Sequence, residues 1–198
     1  MVVVAIIALL LSMLMPAVSS ARKQAMTVKC AVQMRSIHTG LVLYAQDHRN
    51  YLPGPTFSAI PNGSDDRRVL HYLLSSEGGS YLSGIKQLPY VRPWSGQQVM
   101  GYYSPSFDCP ANLDSVEYAC NNSDWSSPSH FFGYPELPDY KGVPKKLDRL
   151  SVATEAKDRW LMHDAWLGNT FGAFTSTPPH LGGVNLLGLD GDVSWSKY

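Results

Sequence analysis

The chain opens on an apolar run, MVVVAIIALLLSMLMPAVSSA, in which no position from Met1 to Ala21 carries a charge. Wound as a helix, roughly 20 apolar residues extend about 30 Å, the thickness of a bilayer's hydrocarbon core. Three structures would suit such a run: a membrane-spanning helix, a cleaved secretory signal, or a core helix wrapped on all sides. No Lys or Arg precedes it as in a signal peptide, although Ala17 to Ala21 (AVSSA) imitates a small-residue cleavage site. A spanning helix over residues 1–21 is the expectation.

Polar residues appear after Ala21, yet nothing there stops the helix. From Ser19 to Asn50 there is no proline and one glycine, Gly40, and Ala21, Arg22, Lys23, Gln24, Ala25 and Met26 are good helix formers. Cys30, Met34, Ile37, Leu41, Tyr44 and His48 recur at spacings of four and three, which places them on one helix face. Pro53, Gly54 and Pro55 supply the stop. The pattern predicts one helix of about 49 residues, roughly 70 Å long, apolar all round at its start and amphipathic over residues 22–50. Pro16 lies inside it and is expected to kink it.

Near the C-terminus the pattern changes to short apolar runs. Trp160 to Met162 suits a strand, and so does Val184 to Leu189, which Asp190-Gly191 closes and Val193 and Trp195 continue. Asp-Gly between such runs predicts a two-residue type I′ hairpin, with positive φ at both positions. The fold class expected is α+β: a long N-terminal helix whose second half, through Ile37, Leu41 and Tyr44, packs on a small antiparallel sheet within a β-rich domain spanning residues 51–198.

Composition changes this picture little. At 198 residues there is room for one domain plus an extension, and 16 Gly with 14 Pro make it loop-rich. Sixteen basic and 16 acidic residues give a formal net charge of +0, so no global field favours nucleic acid, and none is expected as a partner.

Candidate chemistry is scattered. His71, His163, Asp164, His180, Asp190 and Asp192 are of metal-ligand type, but none has the spacing of a zinc or calcium motif. His163 and Asp164, adjacent on a predicted strand, should point to opposite faces. His180 reads as a loop residue bonded to a backbone carbonyl, and Asp190 and Asp192 as hairpin-shaping residues, with calcium the one cofactor they would suit. No catalytic constellation and no cofactor-binding motif is present, so no enzymatic activity is expected. Trp94, Tyr102, Tyr103, Trp125 and Tyr134 read as packing or, alternatively, as an aromatic surface for sugar or peptide. Cys109 and Cys120, ten residues apart in a Pro-, Ser- and Asn-rich stretch, are the candidate disulfide, whereas Cys30 reads as a small core residue.

The two ends of the chain also carry a resemblance. Its N-terminal segment resembles prepilin-type proteins, in particular the pseudopilin-like family of planctomycetes and related bacteria, with Pro16, Cys30, Tyr44, Ala45, Leu52 and Pro53 in matching places. His180, followed after nine residues by Asp190-Gly191, resembles that family's C-terminal H-X9-DG signature. Cys109-Pro110 after Phe107 resembles its Cys-Pro element, and Asp158 to Trp166 the strand before its hairpin. The family's Phe-Thr-Leu-Ile-Glu processing motif is not in the sequence, which leads to the expectation of a start upstream of Met1 with a short basic leader. The resemblance implies a structural subunit of a type II secretion or type IV pilus-like system. Such a subunit assembles through its helix with other pilin or pseudopilin subunits, as homo-oligomer or mixed filament. It implies a single pass through inner-membrane lipid, with the globular domain periplasmic or extracellular. Arg22, Lys23 and Lys29, taken alone, would keep that domain in the cytoplasm. The alternative is a membrane-anchored extracytoplasmic module that binds sugar or peptide.

Overall fold

The computed structural model describes residues 2–56, 59–61, 69–75, 80–82, 84–91, 95–111, 116–120, 131–132, 144–153, 159–164, 180 and 182–197. The chain is α+β. Helix α1 (Val2–Asp47) is followed by strand β1 (Ala59–Pro61), helix α2 (Leu70–Ser75), strands β2 (Lys86–Val91) and β3 (Gln98–Tyr103), and a 3-10 turn at Pro105–Phe107. Strand β4 (Val116–Cys120), helix α3 (Leu147–Ala153) and strands β5 (Trp160–Asp164), β6 (Gly183–Gly188) and β7 (Val193–Lys197) complete it. The main sheet has five strands in the order β1-β4-β5-β6-β7, every neighbouring pair antiparallel, and β2 with β3 forms a separate two-stranded hairpin.

α1 runs unbroken through Pro16 for 46 residues, or about 70 Å. It ends earlier than the prolines require. Arg49 and Asn50 both have positive φ, and the Asn50 N–H donates to the Ala45 carbonyl at 2.7 Å. Bonding five residues back across a left-handed residue is the Schellman arrangement, which satisfies a terminal carbonyl that the helix itself leaves open. The chain then turns into Leu52, whose N–H bonds the Lys145 carbonyl, while Leu147 N–H returns to the Asn50 carbonyl.

The predicted face of α1 is the face that packs. Cys30, Met34, Ile37, Gly40, Leu41 and Ala45 are buried, with Tyr44 partly so. Cys30, Met34, Ile37 and Leu41 join Phe107, Tyr118, Leu161, Met162 and Leu187 in one hydrophobic cluster between helix and sheet. At Gly40 another segment approaches closely: a Cβ there would sit 3.1 Å from Leu82 Cγ. Each fully buried Leu, Ile or Met in this cluster contributes on the order of 1.5–3 kcal/mol before ordering entropy is subtracted.

The C-terminal hairpin exists, but its turn differs from the sequence expectation. Gly191 alone has positive φ (83°), the Gly191 N–H bonds the Gly188 carbonyl, and the Gly188 N–H bonds the Asp192 carbonyl. This is a three-residue loop, Leu189 to Gly191, whose last residue is left-handed, rather than a type I′ pair. The reason is tertiary. His38 Nε2 donates to the Leu189 carbonyl at 3.1 Å, and a Cβ on residue 191 would lie 2.6 Å from His38 Nδ1. Helix α1 thus holds the loop, and only glycine fits against it. Gly191→Ala should lower stability by about 1–3 kcal/mol, through left-handed strain and displacement of His38. Denaturant unfolding of the full chain in detergent micelles measures this, and an unchanged midpoint would remove the docking role given to Gly191.

Away from the sheet, α2 buries His71 beside Phe107, with Nε2–H donating to the Tyr102 carbonyl at 2.7 Å. Desolvation pushes its pKa down from 6.5 to about 4, against a smaller opposite effect from that hydrogen bond. His163 on β5 is lowered for the same reason. A base whose pKa falls on folding stays neutral in the native state while the unfolded chain takes up a proton. Stability is therefore complete above pH 6.5 and declines as pH falls toward 4, by roughly 3 kcal/mol for His71 alone. Unfolding free energies across that interval should slope less steeply in His71→Gln than in the parent chain.

Candidate functional site

Two features stand out once the fold is in place: the exposed end of α1, and the point where its other half is fixed. Residues 2–25 are exposed throughout, including Ile6, Leu10, Leu14 and Val18, and no part of the apolar window of α1 is buried inside the chain. That removes the core-helix reading. The helix is long and apolar enough to cross a membrane. Its one hydroxyl in the middle of the run, Ser12 Oγ, donates to the Leu9 carbonyl at 2.7 Å, so it needs no water there.

The fixed point is a disulfide between Cys30 of α1 and Cys109, just past the 3-10 turn. This corrects the Cys109–Cys120 pairing expected from sequence, and with it the reading of Cys30 as a plain core residue. Gln33, one turn along α1, donates through Nε2 to the Pro105 and Asp108 carbonyls at 3.0 and 2.9 Å, fastening the loop that carries Cys109 against the helix. Cys120 lies instead on β4, opposite Met162, where it is a buried free thiol in the core cluster. Burial there pushes its pKa well above the ordinary thiol range.

His180 and Asp164 complete the arrangement beneath the disulfide. His180 Nε2 lies 3.0 Å from Asp164 Oδ2 and 3.4 Å from Cys109 Sγ, with both the histidine and aspartate side chains fully buried. The partner of His180 is therefore a carboxylate rather than a backbone carbonyl. Asp164 Oδ2 also accepts the Asn185 N–H at 2.9 Å, and Asn185 Nδ2 donates to the Thr27 carbonyl of α1. The His180 backbone pairs with Gly183 in both directions, and its carbonyl accepts the Trp195 indole N–H. Removing one member of such a buried pair typically costs about 3–5 kcal/mol.

These contacts explain the spacing of His180 and Asp190-Gly191. The segment between them is β6 with its turn, pinned on α1 at both ends: at Cys30 through the disulfide and His180, and at His38 through the loop. Cys30 and His38 are eight residues apart, about 12 Å along the helix.

The other predicted residues are dispersed. His163 donates from Nδ1 to the Asp164 carbonyl and packs against Trp160, so His163 and Asp164 serve different partners. Asp190 meets Arg159 in an exposed ion pair at 3.4 Å, and Asp192 closes the turn through its carbonyl. Among the described residues the group of three or more His, Cys, Asp or Glu able to hold an ion is Cys30, Cys109, Asp164 and His180, without Asp190 or Asp192. Tyr102 packs on Tyr72, and Tyr103 donates to the Asp108 carboxylate. Trp94, Trp125 and Tyr134 lie outside the described residues. Sequence reasoning missed Gln33, Asn185 and His38, since each acts on a partner at least 72 positions away. Comparison with family models, with curated proteins and with solved structures finds no match.

Alkylation of the unreduced, denatured chain should modify Cys120 alone, and all three cysteines only after reduction. Closing a loop over a separation of 79 residues stabilises by roughly 4 kcal/mol in the chain-entropy model, so Cys109→Ser should lose about that much, and Cys120→Ser far less. Label found on Cys30 before reduction would refute the pairing.

Proposed function

We propose that the chain is a structural, pilin-like subunit that is held in the bacterial inner membrane by the first half of α1 and assembles with other subunits through that helix. The observation that carries this reading is the division of one helix into two environments. Its first half keeps its apolar side chains exposed, while its second half is locked into the domain by the core cluster, the disulfide and the two pins on β6. An apolar helix of this kind is stable in lipid, or against similar helices that again keep its surface from water. Fixed to the domain, it would carry that domain along as subunits stack. The role is mechanical, with no reaction catalysed by this chain.

The disulfide supports a domain outside the cytoplasm, since disulfides persist in oxidising compartments. It outweighs the basic residues Arg22, Lys23 and Lys29, which concern insertion rather than the folded state. The H-X9-DG spacing, with its physical role on β6, supports placing the chain with secretion or pilus pseudopilins.

Photo-crosslinking groups at Leu10, Leu14 and Val18, activated in native membranes, should give ladders of covalently joined subunits, and a group at Arg159 should not. Crosslinks to lipid alone would count against assembly and turn the reading to a membrane-anchored sugar- or peptide-binding module.

A further inference from the structure

The cluster that fixes α1 has the composition and geometry of a metal site. Cys30 Sγ, Cys109 Sγ, His180 Nε2 and an Asp164 carboxylate oxygen all lie within 4.8 Å of one another, and all four residues are buried. We propose that the thiol form of the chain binds one zinc-type divalent ion on these four side chains, so that metal and disulfide are alternative fastenings of the same helix to the same sheet.

The donor set is two sulfurs, one imidazole nitrogen and one carboxylate oxygen, which suits a borderline-soft ion of tetrahedral habit and disfavours calcium or magnesium. Zinc bonds of ordinary length give tetrahedron edges of about 3.5 Å between sulfur and nitrogen and about 3.4 Å between nitrogen and oxygen. The chain already holds Cys109 Sγ 3.4 Å from His180 Nε2, with an Asp164 carboxylate oxygen inside the same 4.8 Å cluster. Around an ion the two sulfurs separate to about 3.8 Å, and the other ligand atoms, all within 4.8 Å of one another, draw in to edges of about 3.5 Å.

A second observation points the same way. Asp164 Oδ1 is buried with no hydrogen-bond partner. A buried carboxylate with an open lone pair is costly unless a cation takes it. Asn185 N–H holds Oδ2, which fixes the carboxylate plane and leaves Oδ1 to reach an ion. The ligands come from α1, the loop after the 3-10 turn, β5 and His180 three residues before β6, so an ion there would join the two segments that the disulfide joins and the sheet as well. On binding, the two thiols lose their protons to solvent, the neutral His180 ring carries its proton on Nδ1 so that Nε2 is free to bind, and no electron moves. Because the ion and the disulfide bond use the same sulfurs, each excludes the other.

The test uses the full chain in detergent micelles, reduced with a water-soluble phosphine. The phosphine becomes its oxide with oxygen from water, and each sulfur gains a proton. After anaerobic removal of the phosphine, Co²⁺ should bind one per chain, with sulfur-to-cobalt charge-transfer absorption and the intense visible bands of four-coordinate cobalt. Equimolar Zn²⁺ should displace it, and the disulfide form should show neither signal. His180→Ala and Asp164→Asn should each weaken cobalt binding at least tenfold, and Cys120→Ser should leave it unchanged. Should those variants fail to fold, re-formation of the Cys30–Cys109 disulfide in the parent chain decides: bound zinc should slow it at least tenfold. Overturning results are a reduced, folded chain without the cobalt bands, undiminished affinity in folded His180→Ala, or reoxidation indifferent to zinc.

Discussion

The structure depends on one junction, the packing of the second half of α1 on β6 and its neighbours. The buried helix face, Cys30 to Ala45, meets the sheet through Met162 and Leu187, and polar fastenings lie along the same line. Cys30 and Thr27 hold it near residue 30, Gln33 holds the Cys109 loop, and His38 holds the hairpin turn. Hydrophobic burial supplies most of the energy but is not directional. The disulfide and the hydrogen bonds fix the helix's rotation and its position along its own axis, which burial alone would leave loose.

That fixity matters because the rest of α1 has no support of its own. Residues 2–25 touch an apolar or lipid environment only if something outside the domain provides it. A helix continuous from one region to the other transmits the domain's orientation to its far end, about 40 Å from the first buried residue, Cys30. Pro16 does not interrupt it. In lipid, the backbone groups that a proline frees can be met by neighbouring helices or small local adjustments.

The His180 and Asp190-Gly191 pair is held in place by two kinds of constraint. Gly191 is there because the loop must be left-handed and the helix leaves no room for a Cβ. His180 is there because a buried carboxylate needs a hydrogen-bond donor beside it. The same requirement leaves Asp164 Oδ1 open, which is why the junction also has the makings of an ion site.

By itself the sequence determined the parts that follow from local periodicity: the long helix, its apolar half, its packing face at Cys30, Met34, Ile37 and Leu41, and the strands around Trp160, Val184 and Val193. These are set by spacing of 3.6 or 2 residues, which a linear chain displays directly. The α2 helix and the β2–β3 hairpin, in a stretch without such a pattern, were not legible. Nor was the partner of Cys109, because loop closure over 79 residues costs only about 2 kcal/mol more than over the separation of Cys109 and Cys120, an advantage that core packing outweighs. Only the tertiary structure decided that Cys30, Cys109, Asp164 and His180 meet, and that Arg49 and Asn50 end the helix before the prolines do. Such contacts depend on which side of each element faces the core, and that is settled when the elements pack rather than when they form.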